Sequence, residues 1–220
     1  MNIYNQTKSM KAHSTVSIKG GDEIWGNEDS TISTIGFCAT QNNVEGFVFA
    51  GHAGDVLRES FRTPAGTILG FVTATAYYNG TIADAAFITK SSASWLLTTN
   101  KIHVYTCNNL ATNTNHYPVG TVVCKYGIST RQTSGKIEGA HFTGSYDGVN
   151  YIDHVYTDYW SEPGDSGGPV FVVGGVVNGK ITCQLMGIHS GGSSNPEYPS
   201  GVFAKYMNIV NELDITAITE

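Results

Sequence analysis

Six consecutive residues, Gly164-Asp165-Ser166-Gly167-Gly168-Pro169, set a serine hydroxyl among neighbours with little or no side chain. Such a hydroxyl can meet a carbonyl without crowding, and glycine ahead of the Asp–Ser pair lets the backbone bend until two N–H groups converge. The amides of Gly164 and Ser166 are then expected to form an oxyanion hole, in which one well-aimed donor contributes roughly 10²–10³ in rate. A serine hydroxyl also needs a base, and the base needs a carboxylate to hold its tautomer and stabilise its cation. His52, in Phe49-Ala50-Gly51-His52-Ala53-Gly54, ends an apolar run between small residues. Asp84 opens the apolar run Ala85-Ala86-Phe87-Ile88, so it stands where a strand begins at a cleft. Singly, these are also what a glycine-rich turn, a turn histidine and a strand-capping aspartate look like. Together, in the order His52, Asp84, Ser166, they point to acyl transfer.

Positioning three such side chains requires a scaffold, and the composition indicates which kind. The chain has 220 residues, 40% apolar and only 14% charged, with 26 glycines. That is enough apolar material for a packed core, and the glycine excess suits a turn-rich β protein. Short runs rich in Val, Ile, Phe, Tyr and Thr recur between Gly, Asn, Asp and Ser clusters, among them Ile32–Ala39, Gly46–Ala50, Thr67–Ala76, Ala85–Thr89, Ile102–Cys107, Thr121–Lys125, Val170–Val173 and Ile181–His189. Many short strands at this spacing read as an all-β barrel or sandwich. The polar segment Asn108–His116 reads as a linker between two β units. Near the end, Tyr206, Ile209, Val210 and Leu213 are spaced i, i+3, i+4, i+7 and predict one short helix packed on the second unit.

The net charge is −6 and no basic run occurs, so nucleic acid is not an expected partner. No apolar stretch reaches membrane-spanning length, and the first residues lack the apolar core of a signal peptide. Cys38, Cys107, Cys124 and Cys183 form no CxxC pair, and the histidines are not at zinc-ligand spacing, so neither a metal nor a cofactor is expected. Four cysteines allow three disulfide pairings, and buried thiols are an equally good reading.

With these motifs in view, the chain from Ile18 onward resembles the chymotrypsin-fold serine proteases, most nearly the bacterial branch of alpha-lytic protease and the streptogrisins. The resemblance rests on Ile18-Lys19-Gly20-Gly21, on Gly46–His52, on Ser161-Glu162-Pro163-Gly164-Asp165-Ser166-Gly167-Gly168, on Gly187-Ile188-His189-Ser190-Gly191-Gly192 and on Ser200-Gly201-Val202-Phe203. It implies an all-β fold of two six-stranded antiparallel barrels with a short C-terminal helix, and His52, Asp84 and Ser166 as the catalytic residues. It divides the chain into an extension (1–17), a first barrel (18–107), a linker (108–118), a second barrel (119–203) and a helix with tail (204–220).

The resemblance also implies where this chain departs. Two disulfides of the bacterial relatives would fall at Ser33 with Ala53 and at Trp160 with Pro196, and a partner for Cys124 would fall at Ser134. None of these partners is a cysteine. Lys125 falls where alpha-lytic protease has an arginine, and is expected to pair with the buried Asp165. A substrate pocket framed by 160–164, 187–192 and 199–203 would contain Ser161, His189, Ser190, Gly191, Gly192 and Gly201. A histidine at the place of His189 resembles the bacterial glutamyl endopeptidases, implying a preference for Glu or Asp before the scissile bond; an apolar preference is the alternative. The expected activity is that of a secreted, monomeric serine endopeptidase acting on polypeptides. From a different class, a non-catalytic module that kept the barrel stands as the competing reading, and a lipase or esterase does not fit the His–Asp–Ser order. His13, His103, His116, His141 and His154 read as surface residues.

Overall fold

The structure, a computed structural model, describes residues 14–27, 31–77, 81–110, 117–146, 149–193, 195, 197 and 199–219. Most of the 1–17 extension, the centre of the expected linker (111–116), His13, His116 and Pro196 lie outside the described residues. The strands of the first half are β1 (Val16–Gly20), β2 (Glu23–Gly26), β3 (Ile32–Thr34), β4 (Phe37–Gln41), β5 (Val44–Phe49), β6 (Ser60–Arg62), β7 (Ile68–Ala76), β8 (Ala85–Lys90), β9 (Leu96–Ile102) and β10 (Tyr105–Leu110). The second half adds β11 (Val122–Gly127), β12 (Arg131–Tyr146), β13 (Val149–Thr157), β14 (Pro169–Val177), β15 (Lys180–Ser193), β16 (Ser200–Lys205), the helix α1 (Tyr206–Leu213) and β17 (Thr216–Ala217).

The protein is all-β apart from α1 and a single 3₁₀ turn among the described residues, and its strands form two barrel-like sheets. One has eight strands in the order β17-β4-β5-β8-β7-β6-β2-β3; the other has nine, β1-β9-β10-β15-β14-β11-β12-β13-β16, with β15 also paired to β16. Hydrogen bonding crosses the seam expected at 108–118: β10 runs parallel to β15, and β17 returns to pair with β4.

Each sheet encloses its own apolar cluster, around Phe47, Phe49, Phe61 and Ile88 in one and Val123, Val155, Val170 and Phe203 in the other. A third cluster lies between them and joins Phe37, Val48 and Phe87 to Phe171, Leu185, Ile188 and Ile209. Helix α1 buries Tyr206, Ile209 and Leu213 in this shared core. It therefore rests on β7 and β8 as well as on β15 and β16, rather than on the second unit alone. Among the described residues no helix is long and apolar enough to cross a membrane.

Candidate active site

Antiparallel pairing brings the first two side chains together. β5 and β8 are central strands, buried on both faces from Gly46 to Phe49 and from Ala85 to Ile88, which accounts for their unbroken apolar runs. Their register, Phe47 with Ile88 and Phe49 with Ala86, sets the end of β5 beside the start of β8. His52, on the 3₁₀ turn Gly51–Ala53 after β5, thus meets Asp84 just ahead of β8. The Asp84 carboxylate accepts the His52 backbone N–H at 2.8 Å through Oδ1 and lies 2.8 Å from the ring Nδ1 through Oδ2. On its other side, His52 Nε2 lies 3.0 Å from Ser166 Oγ.

Ser166 comes from the opposite sheet, on the loop that leads into β14. Gly164 has φ +99°, and a Cβ there would stand 2.7 Å from Ser129 Oγ, so the motif's first glycine is a backbone requirement. Two residues of the first half grip this loop. Ser33 Oγ donates to the Ser166 carbonyl at 2.7 Å, Thr34 N donates to the same oxygen at 2.9 Å, and Thr34 Oγ1 donates to the Gly164 carbonyl at 2.8 Å. Neither residue was expected at the site as a hydrogen-bond donor, and nothing in the local sequence marks them. Ser33 stands where the resemblance expects half of a lost disulfide, and its hydroxyl ties the nucleophile loop instead.

Burial raises the Asp84 carboxyl, but the charge of His52 and its two hydrogen bonds outweigh that and hold it below the ordinary carboxylate range. For His52, burial disfavours the cation; the Asp84 charge and hydrogen bond, with the Asp55 charge, win and raise it above the ordinary imidazole value. The arrangement is therefore a basic imidazole held against a serine hydroxyl by an ionised carboxylate.

Beside Ser166, Asp165 is fully buried and accepts from five donors. Oδ1 takes the amides of Ser129 at 2.9 Å and Thr130 at 3.2 Å; Oδ2 takes the Glu162 amide at 3.1 Å, Thr130 Oγ1 at 2.6 Å and Lys125 Nζ at 2.5 Å. Lys125 is itself 0% exposed.

Of the residues expected to frame a pocket, Gly191 pairs with Val202 and Gly192 with Gly201, which sets the three glycines along the β15–β16 ladder. His189 is anchored to the nucleophile loop, its N–H donating to Gly168 O at 2.8 Å and its carbonyl accepting the Gly167 N–H at 2.7 Å. Ser161 is buried with its Oγ against Gly192, 2.8 Å from where a Cβ on that residue would stand. Ser190 Oγ is buried with no hydrogen-bond partner among the described residues. Tyr159, another residue the sequence did not single out, is fully buried with its ring packed on Gly201 and its hydroxyl 3.0 Å from His189 Nδ1. Burial drives the His189 imidazole down to about 3, so it is neutral at ordinary pH.

One surface expectation is corrected. His141 is exposed and His103 half-buried, but His154 is only 2% exposed, with Nδ1 3.0 Å from the Ile152 carbonyl and its ring edge-on to Tyr151. Asp153, with a left-handed backbone of φ +56°, stands at a local irregularity of the β12–β13 ladder between the pairs Phe142–His154 and Gly144–Tyr151, and there His154 and its neighbour Val155 are both buried. Burial lowers the His154 imidazole, which stays neutral.

Two barrel-like sheets meeting across a Ser–His–Asp chain, contributed in the order His, Asp, Ser, are the architecture of the chymotrypsin-fold serine proteases, and the chain has that fold. It is 27% identical over 178 residues to Serine protease 1 of Streptomyces fradiae, a match that covers 80% of the chain and 45% of that protein. The chain thus spans about half the length of this curated relative. Among solved structures, a protease of Nocardiopsis is 25% identical with a TM-score of 0.74, over 93% of this chain and all of that one. A glutamic acid specific serine protease, described as using a histidine triad in substrate binding, superposes with a TM-score of 0.72 at 21% identity, over 91% of this chain and all of its own. No protein-family profile matches the chain.

Proposed function

We propose that this protein is a serine endopeptidase working through an acyl-enzyme. The observation that carries the proposal is the unbroken run of short hydrogen bonds from Asp84 through His52 to Ser166. Ser166 Oγ attacks the scissile carbonyl while His52 Nε2 takes its proton; Asp84 holds the Nδ1–H tautomer and stabilises the imidazolium. The amides of Gly164 and Ser166 receive the developing oxyanion. His52 then returns the proton to the leaving amine, and water repeats the sequence to free the acyl product. The substrates are polypeptides met by a secreted monomer that needs no cofactor.

Catalysis in this scheme needs His52 neutral, and Asp84 raises its pKa. Activity is therefore lost as pH falls through a value above the ordinary ~6.5 and regained as pH rises. A fluorophosphonate probe tests both points at once: labelling is expected at Ser166, with a rate that climbs through a midpoint above ~6.5. A non-catalytic barrel would take no label at any pH.

For specificity, we infer a preference for Glu or Asp before the scissile bond. When the Tyr159 hydroxyl donates to Nδ1, the single ring proton of the neutral His189 sits on Nε2 and can be offered to a carboxylate. The Ser161 hydroxyl lies in the same wall, so a carboxylate could be bound without a permanent buried counter-charge. The glutamic acid specific neighbour supports this reading. A second reading, for apolar residues, is favoured by the carbon-rich floor that the Tyr159 ring makes against Gly201. Peptides differing only before the cleaved bond decide between them: Glu is expected to exceed Leu in kcat/KM by on the order of 10² or more, and fastest cleavage after Phe or Leu would establish the apolar pocket.

A further inference from the structure

Two of the four cysteines face each other in a way the sequence did not foretell. Cys107 on β10 and Cys183 on β15 are register partners in a parallel ladder. Their side chains are 3% and 1% exposed and lie in the same apolar cluster. Neighbouring strands run about 4.8 Å apart, inside the roughly 4.4–6.8 Å between Cα atoms that a disulfide bridges, and paired residues of one ladder project to the same face.

The other pairings fail on distance. Cys124 is separated from Cys183 by the whole of β14, since Cys124 pairs with Phe171 and Phe171 with Leu185. Two strand spacings make about 10 Å, beyond what a bridge spans. On its other flank, Cys124 faces Ser134. Cys38 belongs to the other sheet, on β4, with its Sγ directed at the Ile18 carbonyl at 3.4 Å.

We propose that Cys107 and Cys183 form a disulfide when the protein folds in an oxidising compartment, bolting the last strand of the first half onto β15. One thiolate attacks a small disulfide such as oxidised glutathione, giving a mixed disulfide and one released thiol. The second thiolate displaces the remaining half as another thiol, so two S–H groups are oxidised, one S–S bond forms and the oxidant is reduced to two thiols. The exchange belongs to the folding stage. In the finished structure the facing Cys107 and burial together push the Cys183 thiol up, so Cys183 is not a ready thiolate.

The test refolds the full chain in a glutathione redox buffer, as a Ser166→Ala protein to prevent self-digestion. A Cys124→Ser substitution is added because tryptic peptide 102–125 otherwise carries two cysteines. Non-reducing peptide mapping is expected to find 102–125 joined to 181–205, lighter than the two peptides together by two hydrogens and separated by reductant. Reduction is expected to lower the melting temperature by about 5–15 °C, a shift that a further Cys183→Ser substitution abolishes. Alkylation of both cysteines in the denatured, unreduced protein would overturn the proposal. So would a bridge from either to Cys38, or a bridge whose reduction leaves the melting temperature unmoved.

Discussion

Replacing Ser166 by alanine is expected to lower kcat on a peptide substrate by about 10⁶ while leaving the melting temperature close to that of the parent. The hydroxyl is the only atom lost. The loop that carries it is held by other groups: its own carbonyl by Ser33 and Thr34, and the neighbouring Asp165 by its five donors. A second substitution, His52→Ala in the Ser166→Ala protein, should then cost almost nothing more, because a base without a nucleophile has no proton to take. Single-turnover kinetics on the two variants would check this. If the double variant lost several further orders of magnitude, the residual activity would have to run through His52 by another route, and the assignment of Ser166 as nucleophile would fall.

Lys125→Met is expected to destabilise the fold by about 3–5 kcal/mol, because it strands the Asp165 charge in a dry site. In a chain of this size that is a fall of roughly 6–20 °C in melting temperature. Burial works against both charges; at Asp165 the Lys125 charge and the converging hydrogen bonds prevail and hold its carboxyl below the ordinary range. A depressed carboxyl contributes stability that is complete above its unfolded value of ~3.9 and lost as pH falls through the folded value. The parent should therefore weaken below about pH 4. Removing both partners, as Lys125→Met with Asp165→Leu, should not restore the parent, since the amides of Ser129, Thr130 and Glu162 would lose their acceptor at about 1–3 kcal/mol each. Denaturant titrations at pH 3 and pH 6 measure all of this, and an unchanged midpoint for Lys125→Met at pH 6 would refute it.

The strands that set His52 beside Asp84 were legible because both are apolar on two faces, a pattern that survives without knowledge of neighbours. The six-residue glycine motif was legible because close backbone approach leaves no choice of residue at Gly164 and Gly167. The long hairpin of β12 and β13 was missed: much of it is solvent-facing, so its polar residues and glycines do not read as strand. His154 was misread because a left-handed aspartate, unlike a glycine, gives no warning of a bulge. Ser33, Thr34 and Tyr159 act across more than thirty residues or through a buried ring, and one chain read residue by residue holds no record of such partners. The helix was seen from its periodicity, but one apolar stripe cannot say that it will be shared between two sheets.

The return of β17 to β4 has a consequence for how the protein is made. The eight-stranded sheet takes seven of its strands from β2 to β8, yet one edge is closed by Thr216 and Ala217, which follow every other strand in the chain. The core between the sheets likewise waits for Ile209, Leu213 and Ile215. Synthesis thus delivers the other seven strands of that sheet well before the strand that seals its edge. The loop of Ser166 takes its hydrogen bonds from Ser33 and Thr34 of the other sheet, so the proposed triad assembles only once both sheets are in place.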